Sequence, residues 1–233
     1  MGRSCAARRD DSRRSFLALL GVLVVLLGSL LVPRVAGATP AVTNDQAARL
    51  ARGETLVFDQ TIDRGSRHYV GGTTYTIIEA TRPELDALFV DMNAYRQLLP
   101  HTKQARLIGV NDNDIFVELR QGNSLLETSY TLRVRREIEG SQAAGSVYRF
   151  WLDRSKPHGI EDAWGYFRLE PLADGPNGPR VLLTYGILVD VGPGLVRDLF
   201  EERLRQLALT VPQHLRQYAL AHFRPRSRAG GHA

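Results

Sequence analysis

The chain has 233 residues, a formal charge of +5 and a single cysteine, Cys5. Six arginines against two aspartates put +4 of that charge in the first 38 residues, which leaves the remainder at +1. Such a body is not the strongly basic surface that binds nucleic acid or an anionic membrane. One cysteine also provides no disulfide framework, so stability has to come from a hydrophobic core.

The first element in chain order is the segment SRRSFLALLGVLVVLLGSLLVPRVAGATP, Ser12 to Pro40. Ser12, Arg13, Arg14, Phe16 and Leu17 match the pattern S/T-R-R-x-F-L-K, with Ala18 in place of its lysine, and the segment resembles a twin-arginine export signal. That resemblance implies a protein that folds before it leaves the cytoplasm. The apolar run from Phe16 to Val32 is marginal for the ~20 residues that span a bilayer. Ala36 and Ala38 supply the small residues a signal peptidase accepts, so cleavage after Ala38 is expected, with an uncleaved N-terminal anchor as the alternative. On either outcome the globular part is expected to be periplasmic or extracellular. Cys5 precedes the apolar run and is not placed as a lipoprotein cysteine.

About 195 residues follow, ample for one domain and short for two. TNDQAARLAR (43–52) reads as a short helix with Thr43 or Asn44 as its cap and Gly53 as its stop. ETLVFDQTI reads as a strand, DRGS as a turn, and RHYV as a stretch leading into Gly71-Gly72; residues 39–72 form an expected N-terminal extension. From Thr73, TTYTIIEA reads as a strand. TRPELDALFVDM follows as a helix, with a Thr81/Glu84 capping box and Pro83 in its first turn. AYRQLLP reads as a second short helix. Six strands come next: KQARLIGV, DIFVELRQ, LLETSYTLRVRREI, SVYRFWLD, DAWGYFRLEPL and RVLLTYGILVD. Their short, turn-rich separators predict antiparallel pairing.

The closing element, from about Pro193 to His222, is a predicted long helix with an apolar stripe of Leu195, Leu199, Leu204, Leu207, Val211, Leu215 and Tyr218. Pro212 is expected to bend it. A short basic tail from 223 to 233 is expected to be disordered.

Alternation along the strands assigns their faces. Tyr130, Leu132 and Val134 oppose Thr131, Arg133 and Arg135; Ile115, Val117 and Leu119 oppose Phe116, Glu118 and Arg120; Tyr148, Phe150 and Leu152 oppose Arg149, Trp151 and Asp153. This predicts a sheet covered on one face only, with the C-terminal helix as its cover.

The order of these elements, with IEATRPELDALFVDMNAYRQLLPHTKQARLI at one end and GYFRLEPLADGPNGPRVLLTYGILVD at the other, resembles the START-like, SRPBCC or helix-grip superfamily over residues 73–222. Within it the polyketide cyclase/lipid-transport branch and the coenzyme Q-binding START-domain proteins are the most similar. The resemblance implies an α+β helix-grip fold: a curved antiparallel sheet wrapped around a long C-terminal helix, with two short helices after the first strand. It also implies an internal cavity for an apolar ligand. The expected walls are Tyr95, Leu98, Val117, Leu119, Tyr130, Leu132, Phe150, Phe167, Leu169, Tyr185, Leu199 and Phe200, with Arg203 reaching toward a polar head group or pairing outward with surface acids. Each of these residues has a packed-core reading beside its ligand-binding one.

Chemistry-bearing motifs are sparse. None of the six histidines forms a helical metal pair, and His158 with Glu161 and Asp162 reads as a solvated loop. His101 is placed at the border of the cavity mouth. There is no Gly-x-Ser-x-Gly elbow, and GGTTY lacks the lysine of a phosphate loop. No cofactor, metal, catalytic residue or nucleic acid is called for; the expected partner is an apolar small molecule such as a lipid or quinone, with transient contact to a membrane. Three functions stay open: a carrier, a polyketide cyclase or dehydratase using the same cavity, and a packed protein-interaction domain. Ligand identity and oligomeric state stay open with them.

Overall fold

The structure, a computed structural model, describes residues 42–122, 127–137 and 145–223, and residues 195–200 by their backbone alone. The leader and the tail beyond Phe223 lie outside the described residues. Phe223, placed in the tail by the sequence reading, is half-buried and packs against the main core.

Helix α1 (Asn44–Ala51) opens with a reciprocal capping box. Thr43 Oγ1 accepts from the Gln46 N–H at 3.3 Å, and Gln46 Oε1 accepts from the Thr43 N–H at 2.9 Å. Strand β1 (Leu56–Arg64) turns through Gly65 into β2 (Arg67–Ile78). Here the structure departs from the sequence reading. RHYV and TTYTII form one strand that runs straight through Gly71-Gly72, so the boundary expected at 72/73 falls inside it. The two glycines have φ of 155° and 149°, and a Cβ at either would lie 2.0 Å from the Ile187 carbonyl oxygen or 2.1 Å from that of Phe58. They let β2 lie close to a strand on each side, and they do not make a turn.

Helix α2 (Arg82–Ala87) begins with the predicted Thr81/Glu84 box and runs into a 3₁₀ turn (Leu88–Val90); α3 (Met92–Leu98) follows. Next come β3 (Thr102–Asn111), β4 (Asp114–Gly122), β5 (Glu127–Glu137), β6 (Ser146–Leu152), β7 (Asp162–Gly175) and β8 (Gly178–Asp190). All eight strands form one antiparallel sheet in the order β1-β2-β8-β7-β6-β5-β4-β3.

The C-terminal element is two helices, α4 (Leu195–Leu209) and α5 (Val211–His222), where one bent helix was expected. Pro212, in the first turn of α5, has no N–H to give the Ala208 carbonyl, and Thr210 closes α4 by donating its hydroxyl to the Leu207 carbonyl at 2.9 Å. The helices lie over the concave face of the sheet. Thr74, on that face of β2, donates to the Leu209 carbonyl at 3.2 Å.

The main core fills one end of the space between sheet and helices: Ile78, Leu85, Leu88, Phe89, Leu98, Tyr148, Phe150, Leu169, Leu183, Tyr185, Val211 and Leu215 belong to it. Asp86 ties α2 to β6 by accepting from the Tyr148 hydroxyl at 2.8 Å and from Ser146 at 3.2 Å. The convex face carries the charged alternation. Asp114, 3 % exposed, takes hydrogen bonds from both Arg133 and Arg135, whose guanidinium groups lie 5.2 and 5.6 Å from the Trp151 ring centre. This face is not bare throughout. Leu50 of α1 joins Leu56 and Tyr75 in a small cluster on it, so the N-terminal extension covers the β1–β2 end.

Candidate ligand-binding cavity

Between the concave face and α4–α5 lies a cavity of about 760 Å³. Its floor comes from alternate residues of four central strands: Leu119 of β4, Tyr130, Leu132 and Val134 of β5, Phe150 of β6, and Phe167 with Ala163 of β7. Tyr185, Ile187 and Val189 of β8 complete the floor, and Leu204, Leu207, Ala208, Val211 and Leu215 form the roof. The period of two along the strands and of three to four along the helix puts these apolar side chains on facing surfaces.

Nine of the thirteen residues expected from the sequence line this space: Tyr95, Leu98, Leu119, Tyr130, Leu132, Phe150, Phe167, Tyr185 and Arg203. Val117 and Leu169 are fully buried but stand outside the lining, Leu169 within the main core. Both sit on the predicted face, where neighbouring side chains cover them before the cavity begins. The side chains of Leu199 and Phe200 lie outside the described residues. His101 lines the mouth, as placed.

Several lining residues have no counterpart in the sequence reading. Leu88 and Phe89 come from the 3₁₀ turn, too short to show a period. Phe89 stacks on Tyr148 at 3.6 Å between ring centres and meets Phe167 edge-on at 5.2 Å, which closes that end of the cavity. Gln121 is another. Its amide nitrogen donates to the Pro100 carbonyl at 3.1 Å and to Thr102 Oγ1 at 2.9 Å, while its oxygen accepts from the Tyr130 hydroxyl. It fixes the α3–β3 loop at the mouth, where His101 holds a positive φ of 56°. The continuation of the apolar alternation from Val117 and Leu119 to Gln121 was the available signal.

The polar groups divide by depth. Glu127, at the mouth, pairs with Lys103 at 2.6 Å and Arg120 at 3.2 Å; Glu201 pairs with His68 at 3.2 Å and Arg205 at 3.0 Å. Arg203 is exposed at the rim and makes no ion pair or hydrogen bond among the described residues. Deeper in, the ionisable side chains are the tyrosines. Burial pushes Tyr95, Tyr130 and Tyr185 well above the ordinary phenol range, so all three stay protonated at neutral pH. The described residues contain no cluster of three metal-ligating side chains.

Among solved structures, the chain resembles a STAR-related lipid transfer protein (fragment 25–204) from Xanthomonas axonopodis, with a TM-score of 0.58, 17 % identity, and coverage of 70 % of this chain and 92 % of that one. The fold is the helix-grip fold. An aromatase/cyclase from Streptomyces (TM-score 0.45, 14 % identity, covering 77 % of this chain and all of that one) is a more distant likeness of the helix-grip chain. The lipid transfer and protein localization domain of human StarD13 (0.48, 8 %, covering 74 % and 92 %) is another. No protein-family profile and no curated protein matches the sequence.

Proposed function

We propose that this protein is an exported binding or carrier protein that holds one lipid, quinone or other apolar molecule in its internal cavity. The observation that carries this reading is the 760 Å³ space floored by strand residues and roofed by Leu204, Leu207, Val211 and Leu215. It falls within the ~300–1,000 Å³ of typical small-molecule sites. A ligand that removes roughly 300 Å² of apolar surface from water gains about 7 kcal/mol before association costs are subtracted. The solved structure with the highest TM-score reported above is described as a lipid transfer protein, which agrees in kind.

The same space favours a carrier over a cyclase. General acid–base work at neutral pH needs a group whose pKa lies near that pH. The deep phenols are held far above it, the acids at the mouth are engaged in ion pairs, and the one histidine among the described lining residues, His101, stands at the mouth and not in the apolar chamber. The test is native mass spectrometry of full-length protein purified from the compartment in which it accumulates. A stoichiometric apolar adduct, released by organic solvent, is expected; ligand-free protein that also fails to take up lipids and quinones in vitro would refute the reading.

A further inference from the structure

The cavity's hydrogen-bonding groups specify more about the occupant than its apolar walls do. Tyr95 donates its hydroxyl to the Phe89 carbonyl at 3.2 Å, and Tyr130 donates to Gln121, so both protons are committed within the protein. Tyr185 differs. It is 2 % exposed, lines the cavity, and its hydroxyl has no hydrogen-bond partner among the described residues. Its ring is held in the aromatic cluster, 4.5 Å from Phe167 and 6.3 Å from Phe150 between centres, so the hydroxyl has a fixed place. Burial and the neighbouring Tyr130 both keep its proton on. The result is a rigid O–H donor in an apolar chamber, a group that costs about 1–3 kcal/mol when left unsatisfied; Thr128, which also lines the space, carries a second hydroxyl without a partner among the described residues.

The partner such a donor selects is an acceptor, and it must be a neutral one. The cationic side chain that lines the cavity, Arg203, stands at the rim, and the imidazole of His101 stands at the mouth. An anion placed at Tyr185 would lose its hydration with no countercharge beside it. We propose that Tyr185 is a ligand-recognition residue, and that the cavity selects an apolar molecule bearing one uncharged oxygen, a carbonyl or a hydroxyl, which accepts from its phenol. This rests on the carrier reading and narrows it to oxygenated apolar molecules such as quinones, ketolipids and sterol-like alcohols, at the expense of plain hydrocarbons.

The experiment compares a linear alkane, its mid-chain ketone and its mid-chain secondary alcohol, all of equal chain length, as displacers of the hydrocarbon fluorophore diphenylhexatriene from the full-length protein. The wild type should bind the ketone or the alcohol about five- to tenfold more tightly than the alkane. Tyr185→Phe should bring the ketone and the alcohol down to the affinity of the alkane, whereas Tyr75→Phe, which removes a buried unpaired hydroxyl outside the cavity, should keep the preference. A difference confined to ketone or to alcohol identifies which oxygen is read. Equal affinity of the wild type for all three, or a Tyr185→Phe variant that weakens all three alike, overturns the proposal. If Tyr185→Phe does not fold, the wild-type ratio alone decides. Failure of diphenylhexatriene itself to enter would overturn the carrier reading, a result distinct from entry without preference.

Discussion

Tyr130 and Gln121, on adjacent strands, are joined by a hydrogen bond from the phenol to the side-chain oxygen, at the point where the sheet meets the cavity mouth. Because the Gln121 nitrogen also holds Pro100 and Thr102, this one amide connects the cavity floor, the mouth loop and the start of β3. Gln121→Leu keeps the size but leaves the Pro100 carbonyl and the Tyr130 hydroxyl without their partner. Stability should fall by about 1–3 kcal/mol, read by urea denaturation. A change within experimental error would show that the bridge is not structural.

Asp114 is held between Arg133 and Arg135, chiefly through its hydrogen bond with Arg135, and its carboxyl pKa is lowered to about 2 from 3.8. A folded-state pKa below the unfolded one contributes stability that is complete above pH 3.8 and disappears as pH falls toward 2. Asp114→Asn should cost about 1–2 kcal/mol at neutral pH, since both arginines are partly solvated. The variant should also lose part of the acid-side slope in that window. An unchanged slope would contradict the assignment.

His68 bridges Asp63 at the β1–β2 turn and Glu201 on α4, and its hydrogen bond with Asp63 leads in raising its pKa above 6.5. Here the sign is opposite. The contribution is complete below pH 6.5 and is lost as pH rises through the higher folded value. Thermal stability of the wild type should therefore decline across that window relative to His68→Gln. Parallel curves for the two proteins would count against the bridge.

Much of this architecture was legible in the sequence because it is local or periodic. The Thr81/Glu84 box, the alternation of Tyr130 and Leu132 with Arg133 and Arg135, and the apolar stripe of the last helix each need only a window of a few residues. What escaped depends on distant partners. Gly71-Gly72 carries the usual mark of a turn, and only the closeness of Phe58 and Ile187 on the flanking strands explains why both glycines are extended. Val117 and Leu119 share a strand face and are both fully buried, yet only Leu119 reaches the cavity. Which buried residue of one face also borders the open space depends on tertiary packing, and no local pattern encodes it.

Export is proposed from Ser12, Arg13, Arg14, Phe16 and Leu17 alone. The double change Arg13→Lys and Arg14→Lys should leave the precursor in the cytoplasm with its leader uncleaved, as fractionation and immunoblotting would show. Normal export of that variant through the twin-arginine route would refute the proposal.

The central claim, that the space beneath α4 receives an apolar ligand, is tested most directly by filling it. Ala208 lines the roof, and Ala208→Trp would project an indole into the chamber. Leu169→Ala, in the packed core outside the lining, is the control and should cost about 2–5 kcal/mol without touching the cavity. The measurement is uptake of a fluorescent lipid by the three proteins at a temperature where each is folded. The account predicts uptake by the wild type and by Leu169→Ala and little or none by Ala208→Trp; equal uptake by all three would contradict it.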